Sequence, residues 1–227
     1  MKLSIIIPFY NEIKTIGAII DRITALKDID KEIIIVDDFS KDGTREFLKK
    51  LSTPGIKVYF HEKNVGKGGA IRTGLKNMTG DAVIIQDADL EYDPAEYGLL
   101  LKPIFEGKTK VVYGSRFLGN RNEGPYITHY MATLLLNLMV RVLYGAKITD
   151  EATCYKLFTK DVIESVNLKC ERFEFCPEVT AKVLKKGYKI LEVPISYSGR
   201  TFDEGKKINW RDGVEAIWTL IKYRFTD

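Results

Sequence analysis

Three runs of branched aliphatic residues in this chain end in the same way. Residues 3–9 (LSIIIPF), 33–37 (IIIVD) and 82–86 (AVIIQ) each give way, within a few positions, to acids: Glu12, then Asp37 and Asp38, then Asp87, Asp89 and Glu91. Short runs that are apolar on both faces are strands buried on both sides, which belong to parallel sheets covered by helices. Between them Ile13, Ile16, Ile20 and Ile23 recur at helical spacing, residues 42–51 and 70–78 read as further helices, and 58–60 as another strand. This alternation predicts an α/β fold with a mostly parallel, twisted sheet flanked by helices.

The second half has a different rhythm. Residues 111–113 read as a strand, 114–125 as a polar loop and 127–144 as a long helix. A loop entering a strand follows over 150–158, then a helix over 177–186 with Pro177 at its start, a strand over 188–197 and an amphipathic helix over 210–225. No repeat or linker interrupts the chain, so residues 1–227 are expected to form one domain. With 45% hydrophobic and 11% aromatic residues there is ample material for a core, which excludes disorder.

Cys154, Cys170 and Cys176 are too few and oddly numbered for a disulfide framework, and are expected to be reduced thiols of a cytoplasmic protein. The first residues do not read as a signal peptide, because Pro8 and polar residues follow a short apolar run. The longest apolar stretch, 130–144, contains Asn137 and Arg141 and falls short of the ~20 residues a membrane span needs. The net charge of +4 lies wholly in residues 182–227. That is not a nucleic-acid-binding balance, but the tail suits an anionic partner. There Trp210, Ile217, Trp218, Ile221 and Phe225 stand beside Arg211, Lys222 and Arg224, as in a helix packed on the sheet or one in peripheral contact with a membrane.

Ligands of open α/β sheets bind at the carboxyl ends of strands. The first such end carries Pro8-Phe9-Tyr10-Asn11-Glu12 and not the glycine pattern of a dinucleotide fold; Gly66-Lys67-Gly68-Gly69 lacks the Walker ending. Asp87 and Asp89, two apart at a strand end, point the same way and repel. A divalent cation relieves that repulsion and keeps positions open for a diphosphate.

Taken together, PFYNE (8–12), VDDFSKDGT (36–44), NVGKGGAIRTG (64–74), QDADLEYDP (86–94), GSRF (114–117), TDEATCYKLF (149–158) and EVPISYSGR (192–200) resemble the inverting family 2 glycosyltransferases of the GT-A fold. Within them the pattern is similar to the dolichyl-phosphate mannose synthase branch. The resemblance implies a metal-dependent hexosyl transfer from a GDP- or UDP-linked sugar to a polyprenyl phosphate, with a glycan or protein hydroxyl as the alternative acceptor. It implies that Pro8, Tyr10, Glu12, Val36 and Asp38 hold the base, and that Asp87 and Ala88 meet the nucleotide. Asp89 and Glu91, with Asp87 beside them, would hold Mg²⁺ or Mn²⁺. Arg116, Lys160 and Arg200 fall at phosphate positions, Lys67 in the glycine-rich loop is expected within reach of the donor phosphates, and Asp150 falls where an acceptor-side base or sugar-orienting acid stands. Residues 1–115 would then form the nucleotide and metal half, and 116–227 the acceptor half, with 199–210 as an acceptor loop. The second arginine of the lipid-phosphate branch has no match at its usual spacing; Arg121 and His129 are the nearest substitutes. A sugar-phosphate nucleotidyltransferase would carry a Gly- and Arg-rich loop after the first strand, which is missing, and a non-catalytic binder need not keep Asp87, Asp89 and Asp150.

Overall fold

A computed structural model describes residues 1–119, 127–199 and 209–226; of residues 127–129 only the helical backbone is described. Seven strands form one sheet in the order β3-β2-β1-β4-β6-β5-β7. They are β1 (Leu3–Phe9), β2 (Lys31–Asp37), β3 (Ile56–Phe60), β4 (Ala82–Ile85), β5 (Val111–Ser115), β6 (Lys156–Thr159) and β7 (Ile190–Pro194). Only β6 runs antiparallel to its neighbours, β4 and β5. The helices are α1 (Ile16–Thr24), α2 (Thr44–Lys50), α3 (Lys67–Lys76), α4 (Tyr97–Phe105), α5 (Ile127–Tyr144), α6 (Lys160–Ser165), α7 (Phe175–Lys185) and α8 (Trp210–Phe225).

The isoleucine-rich strands are central, as their composition demands: Ile5, Ile6, Ile7, Ile34, Ile35, Val83 and Ile84 are fully buried. Helix α1 turns Ile16, Ile19, Ile20 and Ile23 onto them, whereas Ile13 precedes the helix and is exposed. Helices α4 and α6 have no counterpart in the sequence reading. Pro177 stands in the first turn of α7, among N–H groups that lack intrahelical partners in any case. The three cysteines are free, as expected.

The reading of the final helix as packed on the sheet is corrected. The helix packs chiefly on α7 and α5 and not on the sheet. A second, smaller core forms there from Leu136, Val140, Ile148, Ala181, Ala216, Leu220 and Tyr223. Among the described residues no helix is long and apolar enough to cross a membrane.

Candidate active site

Strand order reverses beside β1: the chain runs outward through β2 and β3, then returns to place β4 on the other flank of β1. Such a reversal opens a crevice at the carboxyl ends of the strands. Among the described residues, three non-glycine positions have a left-handed backbone: Asn11 (φ 52°), Phe39 (φ 67°) and Leu90 (φ 65°). One lies in each acidic loop, after β1, β2 and β4. Backbone of this kind persists only where surroundings hold it. Here the Asn11 N–H donates to Ser40 Oγ at 2.9 Å, and the Lys41 N–H to Asn11 Oδ1 at 2.8 Å, tying the first two loops together.

Tyr10 is 37% exposed at the rim, with Pro8 and Glu12 half-buried beside it. Val36 and Asp38, expected beside the base, are both buried. The Asp38 carboxylate faces the glycine-rich loop, accepting from Val65 N–H (2.9 Å), Gly66 N–H (2.8 Å) and His61 Nδ1 (2.7 Å). Asp38 therefore shapes the loop that leads into α3.

At the first turn of α3, Lys67 Nζ lies 2.5 Å from Asp87 Oδ1 and donates to Cys154 Sγ at 3.4 Å. Burial works against the Lys67 charge, yet Asp87 beside it holds the ammonium well above its ordinary range. Ala88 is buried. Asp89 Oδ1 accepts the Glu91 N–H at 3.2 Å, and Tyr197 Oη donates to Glu91 Oε2 at 2.9 Å. Asp87, expected with Asp89 and Glu91 in one ligand set, pairs with Lys67 in this structure. The donors still fit a hard cation. Asp89 and Glu91 offer carboxylate oxygens, and a magnesium-like ion binds through one or two of these while water and phosphate complete its shell.

Across the crevice Arg116, just past β5, grips Asp150. Its Nε and backbone N–H donate to Asp150 Oδ2 (2.7 and 2.9 Å), and Nη2 to Oδ1 (2.7 Å). Asp150 is wholly buried, and burial opposes the Arg116 charge, but the Asp150 and tyrosine neighbours drive its pKa upward. Glu192 of β7 fixes this loop by accepting from Thr149 N–H (2.8 Å) and Asp150 N–H (3.0 Å). Asn137 of α5 donates to Thr149 O (2.6 Å) and accepts the Glu151 N–H (2.8 Å).

Sequence reasoning missed Tyr197, which joins the two sides: its hydroxyl meets Glu91 and its ring lies 5.0 Å from the Arg116 guanidinium. It also missed Gln86, whose Oε1 accepts from Tyr97 (2.6 Å) and Tyr155 (2.7 Å) at the root of the Asp87 loop. Both stand inside motifs already singled out, but their partners are distant in the chain. Lys160, expected near the phosphates, does not join the site. Because β6 runs antiparallel to β4, its end lies at the amino end of β4, away from the crevice. There the Lys160 N–H donates to Asp81 O at 2.8 Å, and the side chain pairs with Glu164 at 3.8 Å. Arg200, Arg121 and most of the 199–210 loop lie outside the described residues, as does the His129 side chain.

The fold is shared with solved glycosyltransferase structures. Glucosyl-3-phosphoglycerate synthase from Mycobacterium tuberculosis, in complex with Mn²⁺, UDP and phosphoglyceric acid, superposes with a TM-score of 0.77 at 20% identity, over 100% of this chain and 79% of that one. The GT-A architecture expected from the sequence is therefore the one observed. Among curated relatives, the dolichol-phosphate mannosyltransferase of Pyrococcus furiosus is 31% identical over 211 residues, which cover 91% of this chain. This chain spans 59% of that protein's length. The UDP-N-acetylglucosamine–dolichyl-phosphate N-acetylglucosaminyltransferase of Methanococcus voltae is 28% identical, over 96% of this chain and 94% of that one. Residues 4–166, which contain the β1, β2 and β4 loops, Arg116 and Asp150, match a single family along their whole length, and the chain belongs to glycosyl transferase family 2.

Proposed function

We propose that the chain moves a hexose from a GDP- or UDP-linked sugar to a polyprenyl phosphate, with inversion at the anomeric carbon and with Mg²⁺ or Mn²⁺ as cofactor. The observation that carries the choice of acceptor is the Arg116–Asp150 pair. Asp150 is wholly buried and commits both carboxylate oxygens to one guanidinium. A hydroxyl acceptor on a glycan or protein needs a base within hydrogen-bond reach of its proton, whereas a phosphate monoester arrives already ionised. The names of the Pyrococcus and Methanococcus relatives point to the same acceptor class.

In this reading Tyr10 stacks on the base, and the loop shaped by Asp38 brings Lys67 toward the diphosphate. Asp89 and Glu91 would hold the cation, which when bound offsets negative charge on the departing nucleoside diphosphate. Solved structures of the Mycobacterium synthase contain Mn²⁺ or Mg²⁺ with UDP, which supports that choice of ion. Arg116, oriented by Asp150, presents a fixed positive charge at the same crevice, where preorganised charge is most effective. The lipid acceptor would be reached from the cytosolic face of a membrane, by peripheral contact through the basic C-terminal region.

The test is a panel of UDP- and GDP-sugars followed by thermal unfolding with Mn²⁺ or with chelator, then transfer assays on a short polyprenyl phosphate and its free alcohol. Metal-dependent stabilisation by one nucleotide class and transfer to the phosphate alone are expected. Transfer to the alcohol would overturn the acceptor assignment, and a panel without any metal-dependent shift would overturn the donor and cofactor.

A further inference from the structure

Most of the large apolar residues of α8 do not face the core. Asp212, Ala216, Thr219, Leu220 and Tyr223 are its buried positions, while Trp210 (75% exposed), Val214, Trp218 (62%), Ile221 and Phe225 (78%) form a continuous stripe at spacings of three and four on the opposite side. Helix α5 repeats the arrangement. Leu136 and Val140 pack inward, and Met131, Leu134, Leu135, Leu138 and Val142 run along its outer side, each at least 46% exposed. The two helices pack against each other, with Tyr144 Oη donating to Leu220 O at 2.6 Å.

Exposed apolar stripes on two adjoining helices mark an interaction surface. Its charge identifies the partner. Helix α5 has no acidic residue and carries Arg141. Arg211, Lys222 and Arg224 are exposed on α8, and its two acids are the buried capping residue Asp212 and the half-buried Glu215. A twofold contact between copies would set this basic rim against itself. An anionic lipid surface complements it: the stripes enter the interface, with Trp210 and Trp218 at headgroup depth and the cations meeting lipid phosphates. The surface also adjoins the site. The ring of Tyr130, at the start of the α5 stripe, lies 5.3 Å from that of Phe117, the residue after Arg116, and Asn137 of the same helix holds the Asp150 loop.

We propose that the outer faces of α5 and α8 together form a docking surface for an anionic membrane, which opens the Arg116 side of the crevice toward the lipid. This deepens the polyprenyl-phosphate reading and rests on it for its biological meaning, but its test does not use that acceptor. The purified chain is sedimented with vesicles of phosphatidylglycerol and phosphatidylcholine that contain no polyprenyl phosphate, and with phosphatidylcholine alone. The wild type should pellet with the anionic vesicles and be released by salt. Trp218→Asp combined with Leu138→Asp should lower binding roughly tenfold or more at an unchanged unfolding temperature, since both positions are exposed. Arg211→Glu with Lys222→Glu should abolish the preference for anionic lipid. Equal recovery of the wild type with and without vesicles would overturn the proposal. So would light scattering that shows a dimer which Trp218→Asp dissociates, because the surface would then be covered by a second copy. Donor stabilisation measured without vesicles reports on the glycosyl-transfer reading separately.

Discussion

Arg116 and Asp150 are 34 positions apart, and three hydrogen bonds make them one unit. Breaking a buried ion pair from one side leaves the other charge uncompensated, at a cost of about 3–5 kcal/mol. Lysine lacks the planar fork that engages both carboxylate oxygens. Arg116→Lys and Asp150→Asn are therefore each expected to slow transfer roughly 10²-fold, and the double variant to be no slower than either single one. Steady-state kinetics on the three variants checks this; additive losses would mean that the residues act separately. A loss of the acidic limb of the pH–rate profile in Asp150→Asn alone would restore the general-base role. Each residue was legible as part of a motif, but their pairing was not, since nothing local relates the two segments. Lys160 failed for a related reason. Its distance from a strand end was legible, but the direction of that strand was not.

The start of α3 shows what an element adds to its residues. Gly66 has φ 87°, donates its N–H to Asp38, and a Cβ there would meet the Glu171 carbonyl oxygen at 2.3 Å. Gly55 has a similar φ of 82° with open space around it. A left-handed non-glycine residue costs about 1–2 kcal/mol, so Gly55→Ala should destabilise by about that much and leave donor binding alone. Gly66→Ala adds a backbone collision and displaces Lys67, so a loss of about 3 kcal/mol or more and weaker donor binding are expected. Chemical unfolding and donor titration separate the two variants; equal effects would show that strain, and not the close approach to Glu171, sets the requirement. The glycine-rich loop was visible in the sequence as a motif, whereas the carbonyl that makes Gly66 obligatory comes from a segment about a hundred residues away. For helix α8, the reading as a helix packed on the sheet did not hold. Hydropathy shows how apolar a face is, not which face is covered, and α8 buries Ala216, Thr219 and Tyr223 while it exposes both tryptophans.

At the scale of the whole molecule the two edges of the sheet differ. The carboxyl edge holds the left-handed residues and the paired charges of the crevice. The amino edge opposite it is tied by one buried acid. Glu32, at the start of β2, accepts from Ser4 Oγ at 2.7 Å, from the Thr79 and Gly80 N–H groups at 2.5 and 3.1 Å, and from Lys57 Nζ at 3.0 Å. It thereby joins β1, β2, β3 and the turn before β4. Burial alone would raise its pKa, but these donors, Ser4 and Thr79 foremost, bring it from 4.5 down to about 2. An unfolded chain takes up this proton near 4.5, the folded one only near 2, so the stabilisation is complete above the first value and fades as pH falls toward the second. A shift of that size corresponds to about 3 kcal/mol. Glu32→Gln should accordingly unfold about 2–3 kcal/mol more easily at pH 7, and its stability should fall less steeply than that of the wild type between about pH 5 and pH 2. Donor binding should persist in the folded variant, because Glu32 lies at the edge opposite the crevice. Urea unfolding at a series of pH values measures both slopes. Parallel slopes would show that the acid sensitivity arises elsewhere, and a variant that folds normally yet no longer binds donor would show that the amino edge is coupled to the site.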